Sequence, residues 1–353
     1  MPCHDGHASA TPRTRPRLPH ARTPARVPAA PLLLAAAVAL AGCSGGPGAR
    51  AEPGAPGPSA TAAAPYWVNP EGKAARAVAA HRAAGRTAEA ALLSRISTRP
   101  VAEWIGPDRP EAETRALTEA AARAGRPALL VLYDIPNRDC GLHSAGGAAD
   151  GTAYRAWVDA VARGIGTRRA TVVLEPDAVT HVVDGCTAER HHGERYALLK
   201  AAVERLKRQP GVTVHLDAGN AGWVAPENLA EPLRQAGVAA ADGFAVNVSN
   251  FRTTEESVAY GRRLSALVGG KPFVVDTSRN GNGPYTEGDP AENWCNPPGR
   301  ALGEPPTLRT GDPLVRAYLW IKRPGESDGE CRGGPRAGEW FDAYALELAR
   351  NAR

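Results

Sequence analysis

The chain has 353 residues, ordinary for one α/β barrel and long for a single small domain. Its formal charge is +5, from 42 Lys+Arg and 37 Asp+Glu, but residues 1–42 hold five arginines and one aspartate. The remainder therefore carries 37 basic against 36 acidic residues, and the sequence pI near 9.0 gives no basis for nucleic-acid binding.

In chain order, Arg13, Arg15, Arg17, Arg22 and Arg26 form a basic leader. It precedes an apolar run over 31–40, which at about ten residues is too short to span a bilayer. The run ends in Leu40-Ala41-Gly42-Cys43, the pattern of a bacterial lipoprotein signal. The expectation is a signal over 1–43, with Cys43 lipidated as the first mature residue. The Gly/Pro/Ala/Ser-rich stretch 44–65 then reads as a flexible tether. The membrane is expected to be reached only through that anchor, at the outer face of the cell, with simple secretion as the alternative.

From Tyr66 onward helical and strand patterns alternate. Helices are predicted over 72–84, 87–96, 110–125, 153–165, 194–207, 227–236, 255–268 and 338–349. Strands are predicted over 100–105, 128–133, 170–174, 212–216, 243–248, 272–275 and 316–321. Such alternation implies an α/β fold with a parallel sheet covered by helices. Polar strings follow many different strands, which favours a seven-stranded, TIM-barrel-like (β/α) barrel over an open doubly wound sheet.

Those polar strings carry the chemistry. Asp139 sits in Tyr133-Asp134-Ile135-Pro136-Asn137-Arg138-Asp139-Cys140, and Asp177 in Leu174-Glu175-Pro176-Asp177. Asp217 sits in Leu216-Asp217-Ala218-Gly219, and Asp328 in Gly325-Glu326-Ser327-Asp328-Gly329. Taken singly, Asp177 could be a helix cap and Asp328 a turn residue. Carboxylates that converge past strand ends, with opposed protonation states, are what glycoside hydrolysis needs. Four cysteines remain beyond Cys43, namely Cys140, Cys186, Cys295 and Cys331. An even count in an exported chain reads as two disulfides, with three possible pairings. No Cys-x-x-Cys or histidine spacing supports a metal site. Gly281-Asn282-Gly283 lacks the Lys-Ser/Thr of a phosphate loop, so no cofactor is expected.

The strings resemble glycoside hydrolase family 6, the cellulase family of endoglucanases and cellobiohydrolases, over roughly 66–353. The resemblance implies a distorted barrel and an inverting endo-β-1,4-glucanase acting as a monomer on cellulose-type glucan. It assigns Asp177 as general acid, Asp139 as the group that keeps the acid protonated and orders water, and Asp328 as a candidate base. A water chain toward Asp139 is the competitor for the last role. It gives sugar contacts to Asp217, Asn250, Lys322 and Glu326, and places Tyr133 under the ring at the cleaved bond. Ser144 falls on a loop whose Gly146-Gly147 pair permits opening and closing. Trp104, Trp223 and Trp294 become sugar platforms. Pro226 stands where some members carry a further tryptophan on the leaving-group side. The resemblance favours the pairs Cys140–Cys186 and Cys295–Cys331. The short segment between the latter two implies an open cleft, hence endo rather than exo action. A cellobiohydrolase of the same family, or a non-catalytic glucan-binding surface lipoprotein, are the alternatives.

Overall fold

The structure, a computed structural model, describes residues 64–353. The expected signal, Cys43 and nearly all of the tether lie outside the described residues.

Short apolar runs form the strands: β1 (Glu103–Ile105), β2 (Ala128–Leu132), β3 (Ala170–Leu174), β4 (Val212–Asp217), β5 (Gly243–Val246), β6 (Phe273–Asp276) and β7 (Val315–Leu319). All pair in parallel and in sequence order, β1 through β7. Parallel neighbours need crossovers. Five of the six are supplied by α3 (Pro110–Arg123), α4 (Gly151–Ile165), α6 (His192–Lys207), α7 (Pro226–Gln235) and α8 (Thr254–Leu267), and the sixth, from β6 to β7, by a long loop over 277–314 with one 3₁₀ turn. Two helices, α1 (Lys73–Ala83) and α2 (Thr87–Ser97), precede the sheet, α5 (Thr180–Val183) is a single turn after β3, and α9 (Asp342–Asn351) closes the chain.

Local chemistry fixes several helix starts. Asp150 caps α4 by accepting the Ala153 N–H at 2.8 Å. Thr253 and Glu256 form a reciprocal capping box on α8. Two expected starts move by more than two residues: β1 begins at Glu103 rather than 100, and α9 begins at Asp342 rather than 338. Residues near 340 instead form a bridge between Glu326 and Trp340, so they close the cleft rim and are not free to coil.

Strand alternation splits the interior in two. Leu130, Leu132, Val172, Leu174, Val214 and Leu216 face the helices. Leu129, Val131, Val173, Ala245, Val274 and Ala317 fill the inside of the curled sheet. Between β1 and β7 no strand ladder forms among the described residues. The edges meet through one backbone hydrogen bond, Ala102 N–H to Trp320 O at 2.9 Å, and through the Trp104 indole, whose Nε1–H reaches Ile321 O at 2.9 Å. The barrel is thus curled but unlaced along one seam. Followed to the strand ends, the inward alternation turns polar, at Asp217 and Asp276 and at Asn247 just past β5, and this polar end is the floor of the site.

Candidate active site

A cleft of about 830 Å³ opens over the carboxyl ends of the strands, the usual place for a site in this architecture. Asp139, Asp177 and Asp328 line it, with Tyr133, Ser144, Asn250, Lys322, Glu326, Trp104, Trp223 and Trp294. Asp217 does not. It is 1% exposed and lies beneath the floor. Its Oδ2 accepts the backbone N–H of Asp177 at 2.9 Å and of Gly219 at 3.1 Å, while its Oδ1 is buried without a partner. In place of the expected direct sugar contact, Asp217 meets the backbone of Asp177, because the strand end carries this side chain inward under the next loop.

This arrangement sets the protonation of Asp177. Burial raises its pKa well above the ordinary aspartate value, and the negative charges of Asp217, then Asp139 and Asp184, raise it further. Asp217 is pushed up by burial to about 7, against the pull of its backbone donors. Of the two, Asp217 holds the N–H donors, so the anion settles there and the proton on Asp177. Asp217 outweighs Asp139, which carried the sequence expectation.

Asp328 is the opposite case. Arg279 donates to its Oδ2 at 2.8 Å, the Asn296 N–H to the same oxygen at 3.0 Å, and Lys322 lies 3.1 Å from Oδ1. Burial works to raise its pKa, but the charges of Arg279 and Lys322 together outweigh it and hold the carboxyl below its usual range. Arg279 is wholly buried, over the Phe251 ring at 4.3 Å and bonded to Ser249 O.

The loops that present these groups are tied down. Glu175, pushed up by burial to about 7, accepts the N–H groups of Asp134 and Ile135 at 3.0–3.1 Å. Arg195 on α6 holds Pro136 O at 2.8 Å and Asn137 O at 3.1 Å. Together they bracket the segment that leads to Asp139. Asp276 accepts four backbone N–H groups, from Ser249, Ser278, Ile321 and Lys322, and so knits the ends of β5, β6 and β7. Asp139 accepts the Ser144 N–H at 2.6 Å. Gly147 at φ 96° lies against Ile135 O, which a Cβ would approach to 2.0 Å. That glycine is required for the loop to pack, beyond any freedom to move. Asn137, Asp139, Glu175, Asp177, Asn247 and Ser249 all take positive φ. Left-handed backbone of this kind in non-glycine residues gathers where a surrounding network over-determines it.

Aromatic groups flank the carboxylates. Trp104 meets Tyr133 edge-on at 5.6 Å. Trp223 donates to Asp184 at 2.9 Å and meets His181 at 5.1 Å. Trp294 is 37% exposed and lies 5.7 Å from His143. Glu326 is tied to Lys73 at 2.7 Å and Arg323 at 3.1 Å, so it meets a ligand as a paired anion. Cys140 is bonded to Cys186 and Cys295 to Cys331. The nitrogen of His181 lies within 4.8 Å of the first pair of sulfurs, but both are spent in the bond and do not form a metal site. Sequence reasoning gave no role to Arg279, Asp276, Glu175, Asp184 or His181. Asp276 and Glu175 each carried a signal, an acidic residue at the end of an apolar run.

Known proteins share this fold. The profile of Glycosyl hydrolases family 6 matches residues 61–352. Endoglucanase A of Cellulomonas fimi is 48% identical over 229 residues, 65% of this chain, so the match spans about half (48%) of that relative's length. Endoglucanase A of Thermobispora bispora is 40% identical over 90% of this chain and 69% of its own. The structure of the endoglucanase Cel6 from Mycobacterium tuberculosis, in complex with a methyl-cellobiosyl-4-deoxy-4-thio-β-D-cellobioside, superposes with a TM-score of 0.76 at 44% identity, covering 82% of this chain and 98% of that one. With the same seven-stranded curled sheet and a match running from the first described residues almost to the last, the chain belongs to glycosyl hydrolases family 6.

Proposed function

We propose that the chain is an inverting endo-β-1,4-glucanase acting outside the cell on soluble or amorphous cellulose-type glucan. The observation that carries this is a cleft-facing acid, Asp177, kept protonated by burial and by the anionic Asp217 beneath it. Asp177 gives its proton to the glycosidic oxygen as the bond to the anomeric carbon breaks. Water attacks that carbon from the opposite face, and its proton leaves through solvent toward Asp139, which is half exposed and oriented by Ser144 N–H. Asp328, held ionised by Arg279 and Lys322, is a weak base. Its role is to supply fixed negative charge as the ring gains positive charge.

Trp104, Trp223 and Trp294 supply platforms for the apolar faces of sugar rings. Endo action is supported by the exposure of Trp294 (37%) and Leu142 (57%), which a roofed tunnel would cover, and by relatives at 40–48% identity that bear the name endoglucanase. We also infer that Cys43 anchors the enzyme by lipid, which fractionation of wild type against Cys43→Ser tests. For the activity, the decisive experiment is digestion of carboxymethyl cellulose and cello-oligosaccharides with product sizing and NMR of the first anomer released. A retained anomeric configuration, or no chain shortening, would refute the reading.

A further inference from the structure

A second cavity, of about 280 Å³, lies beside the seam between β1 and β7. It adjoins the cleft, with Lys73, Trp104, Arg323 and Glu326 as the shared wall. Arg323 crosses the seam there, donating to Ala102 O at 3.1 Å, Glu103 at 3.0 Å and Glu326 at 3.1 Å. The cavity's outer wall is built from α1 and α2, with the half-buried indole of Trp340 on one side. None of these outer residues is used by the chemistry described above.

Its lining selects a kind of ligand. Four basic and four acidic side chains surround it, so it has no net preference for an anion or a cation. Such mixed donors and acceptors, set beside an indole, suit a neutral polyhydroxylated ring whose hydroxyls bond at the edge and whose C–H face meets the aromatic. Its position selects which ring. Tyr133 marks the cleaved bond and Trp223 the leaving-group side, by family resemblance. Trp104, edge-on to Tyr133, is therefore on the other side, and the cavity lies beyond it.

We propose that this seam cavity is an additional glucosyl-binding subsite, which takes the third sugar unit on the side of the chain that keeps its anomeric carbon at the cleaved bond. The inference rests on the glucanase reading and extends it. The curled sheet's missing ladder is what makes room: where β1 and β7 would otherwise pair, side chains and one guanidinium wall the space beside the cleft.

The test uses cellopentaose labelled with ¹⁸O at its reducing-end hydroxyl. Cleavage with three units on the retained side releases unlabelled cellotriose and labelled cellobiose; the other register gives unlabelled cellobiose and labelled cellotriose. The expected wild-type bias toward unlabelled cellotriose is about tenfold, the ratio given by one modest binding contact. Ala75→Phe, at a half-buried position of α1 that lines the cavity, fills it and should abolish the bias. The rate of splitting cellotetraose into two cellobiose units should stay unchanged. Arg99→Ala, at an exposed position on the same wall, should reduce the bias several-fold without affecting folding. A wild type with no such bias, or an Ala75→Phe enzyme that keeps it, overturns the subsite while leaving the glucanase standing. Failure to cut any cello-oligosaccharide overturns the glucanase, and the subsite with it.

Discussion

The two halves of the cleft floor hold buried carboxylates in opposite states. At the ends of β3 and β4, Asp177 and Asp217 share a space with no cation in contact; both pKa values are raised, and the proton stays on Asp177. Past β7, Asp328 is as deeply enclosed, yet Arg279 and Lys322 hold it ionised. The residue type and the depth are alike. The partners differ, and the partners decide which carboxyl can give a proton and which can only present charge. A reaction that needs a proton at one side of a sugar and negative charge at the other is served by that asymmetry.

The largest effect comes from removing the proton. Asp177→Ala is expected to lower the rate on unactivated glucan by at least about 10²–10⁴-fold. Folding, followed by thermal melts, and oligosaccharide affinity, followed by calorimetry, should change little. Turnover near wild type would mean that the neutral half of the floor is not where the acid lies.

Breaking the ionic half should appear first in stability. Asp328→Ala leaves Arg279 charged, wholly enclosed and without its carboxylate. Stripping one partner from a buried pair costs about 3–5 kcal/mol. The pH dependence has a definite sign. Because the folded-state pKa of Asp328 is depressed, its contribution is present above the unfolded value and is lost only as pH falls below it. The melting difference between wild type and variant should therefore be wide at pH 7 and shrink in acid. A constant difference from pH 7 to pH 3 would contradict the ion-pair account.

The neutral half carries the reverse sign. Asp217 is raised from 3.8 to about 7 in the fold, so its ionisation weakens the native state progressively as pH rises through that window. Asp217→Asn keeps an acceptor for the Asp177 N–H and removes the charge. It should stabilise the protein at pH 8 by roughly 2–4 kcal/mol, since each pKa unit is worth about 1.4 kcal/mol, with no gain near pH 3. Removing the like charge also lowers the pKa of Asp177, so the alkaline limb of kcat should move to lower pH. A variant less stable than wild type at pH 8 would place the cost of the pair elsewhere.

The sequence made the frame of this comparison legible but not its sign. Val212 to Asp217 alternates cleanly, so β4 and the aspartate at its end were readable, as was the Glu-Pro-Asp string after β3. Periodicity reports which face a residue takes. It does not report what another strand, tens of residues away, lays against it. Nothing around Arg279 in Ser278-Arg279-Asn280 reports that its side chain is wholly enclosed. Asp217 read as a sugar contact, because nothing local reveals that its Oδ2 meets the Asp177 N–H. Likewise the positive φ at Asp139 and Asp177 is imposed by loops anchored at Glu175, Arg195 and Asp217, not by local preference. The α5 turn was missed because four residues are too few to show a period.

The smallest expected effect asks how far the neutral half extends. Asp184 is exposed, yet its charge contributes to raising the pKa of Asp177, and its Oδ2 accepts the Trp223 indole N–H at 2.9 Å. Two substitutions separate these roles. Asp184→Asn keeps an oxygen for the indole and removes only charge. Its expected result is a slight downward shift of the alkaline limb that vanishes in about 1 M salt, where the screening length falls to about 3 Å. Asp184→Ala also frees the indole, leaving its edge-on contact with His181 to hold it. It should raise KM for cello-oligosaccharides about two- to fivefold, as the loss of one net hydrogen bond would give, with kcat little altered. If the Asn variant raised KM as much as the Ala variant, charge and not orientation would govern Trp223. If neither moved the pH profile at low salt, the like-charge coupling would be confined to the buried carboxyls under the floor.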